Sequence, residues 1–278
     1  IYVYLHRIMS QQHGDLVQPL KYPKKIQIAG ADSTGNTFYT NIDDLWNKEL
    51  GSNEQQQSQW YTNAADYWKN VEPTLDGMLG GLGHIAETDV ESSNKFITEM
   101  ASIGRKRALD CGAGIGRVTK NLLLPLFETV DLLEQNPAFL DEAKVAFKDE
   151  KRVDNYFAMG LQDFKFQRED GTPLQYDCVW IQWVIGHLTD KDLILFIRRC
   201  LAALAPNGVL CIKDNTAKRS FVMDKDDSSV TRSDNHFRYL FEQSGAKLLK
   251  TELQPNFPTE LFPVRFYALQ SSLSPSPS

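Results

Sequence analysis

The stretch Leu109-Asp-Cys-Gly-Ala-Gly-Ile-Gly-Arg117 decides the fold. A short apolar strand, Arg107 to Cys111, runs into a glycine-rich turn, and a helix begins at Gly114. In such a turn the glycines let backbone N–H groups approach a ligand, and the N-terminus of the helix faces it. Gly112, Gly114 and Gly116 give G-x-G-x-G, whereas the dinucleotide fingerprint needs its third glycine at position 117, which is Arg. That spacing disfavours a nicotinamide dehydrogenase. The acid before the glycines, Asp110, would repel a pyrophosphate but suits the ammonium end of a cationic cofactor. The next strand, Thr129 to Leu133, ends at Glu134, 22 residues after Gly112. An acid there is placed to accept hydrogen bonds from both ribose hydroxyls of an adenosine. Turn, preceding acid and ribose acid together read as a site for S-adenosylmethionine.

Outward from this stretch, strands and helices alternate. A helix over Pro137 to Phe147 has Pro in its first turn, and Val153 to Ala158 reads as a strand. Tyr176 to Trp183 is a nearly continuous apolar strand, as expected where both faces of a sheet are covered. Thr189 to Leu204 carries a capping pattern and one apolar face, and Pro206-Asn-Gly208 stops it. Val209 to Lys213 is a strand, His236 to Ser244 a helix, and the runs near Lys247 to Leu253 and Pro263 to Leu269 could pair antiparallel. This α/β alternation argues for an open, mostly parallel sheet with helices on both faces. Upstream, Gln59 to Val71 reads as a helix, the loop Asp76-Gly-Met-Leu-Gly-Gly-Leu-Gly-His84 as a close approach to a ligand, and Asp89 as a cap for a helix running to about Ile103.

The 278 residues divide into a weakly docked or poorly ordered extension over 1–54, a catalytic domain over 55–270 and a fraying tail over 271–278. Residues 1 to 30 carry His6, Arg7, Lys21, Lys24 and Lys25 against Asp15, a balance compatible with organellar targeting or with a plain extension. A net charge of −6 argues against bulk affinity for nucleic-acid backbone. No run of about 18 apolar residues suggests a membrane span. Cys111, Cys178, Cys200 and Cys211 show no C-x-x-C pair and read as buried reduced thiols. No residues have metal-ligand spacing, and no G-x-S-x-G nucleophile elbow occurs.

Further polar clusters fall at strand ends, where ligands sit in open α/β sheets. Gln182, Trp183 and His187 follow the long buried strand, and Asp214-Asn215 follow the next. From the residues alone, His187 also suits a satisfied loop histidine, Trp183 a core side chain, Asn215 a turn residue, and Met223 to Val230 a solvated acidic loop.

Five segments closely resemble the protein α-N-terminal methyltransferases: Leu109 to Arg117, Gly160-Leu-Gln-Asp-Phe164, Trp180-Ile-Gln-Trp-Val-Ile-Gly-His-Leu-Thr-Asp190, Ile212-Lys-Asp-Asn215 and Asp227-Ser-Ser-Val230. Tyr67-Trp68 and Asp76 to Gly81 also match, so the resemblance spans about residues 59 to 269. It implies a Rossmann-like class I fold with a mostly parallel seven-stranded sheet, an N-terminal helical extension and an inserted β-hairpin bearing the acidic loop. The implied reaction carries methyl from S-adenosylmethionine to the free α-amino group of proteins beginning Xaa-Pro-Lys or Xaa-Pro-Arg, leaving S-adenosylhomocysteine. Cofactor contacts would come from Gly112, Arg117, Glu134, Gln135, Asn136, Leu161, Gln162 and Gln182, with Trp68 and Met78 closing over them. Relatives more often have Asp where Glu134 stands. Trp183 would pack on the second-position proline with Leu79 opposite, Asn215 would orient the amino terminus, and Tyr67 would complete the substrate side. Asp224 and Asp227 would receive the third-position cation. A monomer working in nucleus and cytoplasm is the implied setting.

An α-ammonium must lose a proton before it attacks a sulfonium methyl, and its free pKa of about 7.7–8.0 asks only for a modest base. His187 and Asp227 are the candidates, His187 being better matched by its ordinary pKa. Phe262 stands where some relatives have Tyr, removing a hydroxyl near the substrate. A small-amine methyltransferase and a noncatalytic binder of amino-terminal tails are the alternative readings.

Overall fold

The structure is a computed structural model that describes residues 26–51 and 54–272. Residues 1–25, with the basic stretch considered for targeting, and the end of the tail lie outside the described residues. The chain opens with β1 (Gly30–Asp32), β2 (Phe38–Tyr39), α1 (Ile42–Leu50), α2 (Glu54–Lys69), α3 (Leu75–Met78) and α4 (Ala86–Thr98). The alternating region follows as β3 (Arg107–Cys111), a π-helical turn (Thr119–Leu123) continuing into α5 (Leu124–Leu126), β4 (Thr129–Glu134), α6 (Pro137–Ala146), β5 (Val153–Ala158), β6 (Tyr176–Gln182), α7 (Asp190–Ala202) and β7 (Leu204–Asn215). It ends with β8 (Phe221–Asp224), β9 (Ser229–Thr231), α8 (Asp234–Gln243), β10 (Ala246–Leu253) and β11 (Val264–Ser271).

Among the described residues, seven strands form the main sheet in the order β10-β11-β7-β6-β3-β4-β5. Strands β7, β6, β3, β4 and β5 are parallel, and β11 and β10 add antiparallel pairings at one side. The apolar runs near residues 247 and 263 therefore pair as the sequence suggested. Strand β6 is buried along its whole length, because apolar clusters cover the sheet on both faces. One gathers Leu193, Phe196, Ile197, Phe237, Leu240 and Phe241 from α7 and α8; the other gathers Phe96 and Ile97 from α4 with Leu140 and Ala143 from α6. Chain order reverses direction between β3 and β6, so the carboxyl ends of these central strands diverge around a crevice. Cys111, Glu134, Gln182 and Asn215 sit at those ends.

A second sheet, β2-β1-β8-β9, departs from the sequence reading. The acidic loop is the turn of the β8–β9 hairpin, as expected, but residues 26–50 are not weakly docked. Strand β1 pairs in parallel with β8, and Ile28, Tyr39 and Leu45 share a core with Trp60, Phe221, Met223 and Val230. No alternation announces these short strands, whose pairing partner lies far along the chain. Two smaller expectations also change. Asp89 does not cap α4; it is buried inside the helix, which ends at Thr98. The tail is held to Ser272, whose hydroxyl donates to the Gly245 carbonyl at 2.8 Å. Leu45 is wholly buried in the small core, so Leu45→Ala is expected to destabilise it by about 2–4 kcal/mol. Hydrogen exchange should then accelerate in β1 and β8 while β6 stays protected.

Candidate active site

Two cavities meet at the carboxyl ends of the central strands. The first encloses about 960 Å³ and is lined by the glycine turn, by Asp110, Arg117 and Glu134, and by Trp68 and Met78. Gln135, Leu161, Gln162 and Gln182 also reach it. The second encloses about 680 Å³ and is lined by Asp214, Asn215, Asp224 and Asp227, with Phe262 at its wall. Trp68, Trp183 and His187 line both. Most residues assigned to cofactor or substrate from the sequence line one or both of these spaces. Three residues fall outside. Asn136 caps α6 through Ala138 N–H and donates to the Trp68 carbonyl at 3.1 Å. Leu79 is buried in a cluster with Ile85, Trp183 and Val264, and Tyr67 sits edge-on to Trp68.

The glycine turn is shaped by contact on both sides. Gly112 and Gly114 have φ of 69° and 55°, a region that side chains rarely adopt. A Cβ at Gly112 would meet Val184 at 2.7 Å, and one at Gly114 would meet the Met78 sulfur at 2.7 Å. The turn is fastened to the end of β4: Gly114 N–H donates to Glu134 Oε2 at 3.0 Å and Asn136 N–H donates to Oε1 at 2.8 Å. Burial pushes the Glu134 carboxyl up against these hydrogen bonds. Burial likewise raises Asp110 to about 6, while Thr119 donates to it at 2.7 Å.

The residue missed by sequence reasoning is Asp89. Arg117 Nη1 lies 2.6 Å from its carboxylate, Lys213 Nζ is in direct contact with it, and Gln182 Nε2 donates to it at 2.8 and 3.0 Å. Burial opposes the Asp89 charge, but Lys213 and Arg117 outweigh burial and hold its carboxyl below the ordinary range. Burial brings Lys213 down to about 8 even so. Two cations around one carboxylate leave a net positive site beside the first cavity, which suits a ligand carboxylate. The signal available in sequence was a lone acid on an amphipathic helix, which cap chemistry explains equally well.

Trp183 stands where β6 ends, with φ of 54°. A bulky residue in that region carries roughly 1–3 kcal/mol of strain, which persists where surroundings over-determine it. Its backbone N–H donates to the Lys213 carbonyl at 3.0 Å, and Arg117 and Lys213 lie 5.7 and 5.6 Å from its ring centre. His187 is held at three points. Trp60 Nε1 donates to its carbonyl at 2.6 Å, Trp68 Nε1 donates to its Nε2 at 2.9 Å, and its Nδ1 faces the Ser228 carbonyl at 3.3 Å. The Trp68 bond makes Nε2 an acceptor, so the ring is neutral with its proton on Nδ1. Burial lowers its pKa, against the opposing pull of Asp227.

In the second cavity, Asp214 Oδ2, Asp227 Oδ1 and Trp183 Nε1 are buried with no hydrogen-bond partner among the described residues. Such atoms are costly unless a ligand answers them. Burial raises Asp214 to about 7 and Asp224 to about 6, the latter helped by Asp227. Asp214 was noticed in the sequence only as the neighbour of Asn215.

The chain is similar to known proteins. Residues 56–270 match the model of a family described as AdoMet-dependent proline di-methyltransferases. The chain belongs to that family. It is an S-adenosylmethionine-dependent methyltransferase, and the fold and cofactor expected from the glycine turn hold. The chain is 52% identical over 273 residues to the alpha N-terminal protein methyltransferase 1 of Dictyostelium discoideum, covering 95% of this chain and 98% of that one. It is 47% identical over 222 residues to the human N-terminal Xaa-Pro-Lys N-methyltransferase 1, covering 78% of this chain and 97% of that one. Among solved structures, a SAM-dependent methyltransferase from Leishmania major superposes with a TM-score of 0.83 at 40% identity, covering 91% of this chain and all of that one. The family model begins after β1, β2 and α1.

The charge cluster makes a direct demand on this methyltransferase. Asp89→Asn leaves two buried cations without their carboxylate and is expected to cost about 3–5 kcal/mol. Chemical denaturation reads that loss. Calorimetry with S-adenosylhomocysteine should show affinity falling by about tenfold or more, because Arg117 and Gln182 lose their common anchor.

Proposed function

We propose that this enzyme methylates the free α-amino group of proteins beginning Xaa-Pro-Lys or Xaa-Pro-Arg. The observation that carries the reading is the junction: a glycine-turn cavity with a net positive flank joins a carboxylate-lined cavity across Trp68, Trp183 and His187. The names of the Dictyostelium and human relatives support the substrate class.

The first cavity fits S-adenosylmethionine. Gly112, Ala113 and Gly114 line it without side chains that would fill it, Asp110 suits its ammonium, Arg117 its carboxylate, Glu134 its ribose hydroxyls, and Leu161 and Gln162 its adenine edge. When bound, the cofactor supplies an electrophilic methyl on a cationic sulfur. The residues of the chain then have three tasks. The indole face of Trp183 gives a flat apolar wall for proline. Asp224 and Asp227 receive the third-position cation through charge-assisted hydrogen bonds. Asn215, with the unpartnered Asp214 and Asp227 oxygens, holds and orients the terminal ammonium.

Proton removal falls to His187 with Asp227 beside it. The neutral ring has its lone pair on Nε2, and accepting the amine's proton there requires giving up the Trp68 hydrogen bond. The carboxylate of Asp227 stabilises the imidazolium that results. The rest of the rate comes from alignment of amine, methyl and sulfur. A cationic tail also suits the net charge of −6 better than nucleic-acid backbone does.

Mass spectrometry of a Ser-Pro-Lys peptide incubated with enzyme and S-adenosylmethionine tests the reading. A gain of one or more methyl groups on the α-amine is expected, with a large loss on changing Pro to Ala. No gain, by a protein that binds cofactor, contradicts it. The pH dependence follows from the raised carboxyls. Asp214 near 7 and Asp224 near 6 are ionised above those values and protonated below them. Binding of the Lys peptide should therefore weaken as pH falls from about 7.5 to 5.5. Asp224→Asn should remove the lower part of that change in a calorimetric titration.

A further inference from the structure

The segment Ile26–Leu50 precedes the residues matched by the family model, yet it is built into the wall of the acidic cavity. Parallel pairing sets Asp32 beside Met223, and Ser33 N–H donates to the Met223 carbonyl at 2.7 Å. Gly30 lies so close beneath the Phe221 ring that a Cβ would meet it at 2.4 Å. Ser33 lines the cavity with Asp224 and Asp227, on the stretch fastened to β8. Asp32 is buried. Its carboxylate accepts from Thr34 Oγ1 and from the N–H groups of Asn36 and Thr37, at 2.9, 3.0 and 3.1 Å. That carboxylate also lies 3.3 Å from Lys225 Nζ, which donates to Thr37 Oγ1 at 2.8 Å.

Lys225 is the cation of the hairpin turn Asp224-Lys-Asp-Asp-Ser-Ser229. An unrestrained ammonium on that turn has carboxylates on both sides to draw it inward. It is also the same chemical group as the third-position lysine of the substrate. Folded into the cavity, it would act as an internal competitor. Captured by β1, it points its charge away.

We propose that Ile26–Leu50 is a specificity element of the substrate site: Asp32 holds Lys225 outside the acidic cavity, and Ser33 orients Asp224 for the cation of the incoming tail. This rests on the Xaa-Pro-Lys/Arg reading of the cavity. Both are positioning residues that act through Asp224 and Asp227.

Steady-state kinetics of the full chain with Ser-Pro-Lys and Ser-Pro-Gln peptides test it. Asp32→Asn, which keeps an acceptor for the Asn36 N–H, is expected to raise KM for the Lys peptide on the order of fivefold, with kcat changed by less than about twofold. Adding Lys225→Met to that variant should return KM to near the wild-type value. Ser33→Ala should raise KM for the Lys peptide and Ser33→Thr, which keeps the hydroxyl, should not. None of these changes should move KM for the Gln peptide. If Lys225→Met fails to rescue Asp32→Asn, or if both peptides suffer alike, Asp32 and Ser33 only brace the fold and the proposal falls. Should the wild-type enzyme not distinguish the two peptides, the acidic-cavity reading itself fails, whatever the variants do.

Discussion

A single buried carboxylate ties the catalytic end of the sheet together. Asp89 reaches from α4 to Arg117 after the glycine turn, Gln182 at the end of β6 and Lys213 near the end of β7. Each of those groups is too polar to be buried alone, and each is held where it stands by the same two oxygens. Breaking such a cluster costs more than its net contribution to stability, because it leaves charge without a partner. The glycine turn, the Trp183 wall and the strand carrying Asp214 and Asn215 are therefore positioned as one unit.

Charge is divided across the junction. On the cofactor side Arg117 and Lys213 share Asp89, while Asp110 and Glu134 line the cavity beside them. On the substrate side Asp214, Asp224 and Asp227 line one cavity, and the neighbouring Lys225 is bound to Asp32. A tail with a cationic terminus and a cationic third residue complements the second side, and the carboxylate of an amino-acid-bearing cofactor complements the first. Between them stand two indoles and a neutral imidazole, which add no charge.

Much of this was legible in residue order, and the reasons are local. The strand–turn–helix at Leu109 to Arg117 declares itself through glycine chemistry, and Glu134 through its distance along the next strand. The run around Trp183 and His187 stood out as a motif, although neither residue is informative alone. What escaped depends on contacts distant in sequence. Asp89 looks like a helix cap until Lys213, 124 positions later, is folded against it. Strand β1 is three residues long and finds its partner at β8. Leu79 and Asn136 were placed at ligands by resemblance; the fold packs Leu79 in the cluster that holds Trp183 and caps α6 with Asn136. Asp214 was passed over because an acid in a strand end is ordinary until burial leaves one of its oxygens unanswered.

The central claim is that one peptide amino terminus and one methyl carrier meet at Trp68, Trp183 and His187. A crystal structure of the enzyme with S-adenosylhomocysteine and a Ser-Pro-Lys peptide tests it most directly. The account predicts proline against the Trp183 indole, the terminal nitrogen among Asn215, Asp214 and Asp227 and facing the cofactor sulfur, and the lysine ammonium on Asp224 and Asp227. A peptide seated elsewhere, or a terminal nitrogen turned away from the sulfur with the acidic cavity unused, would contradict it.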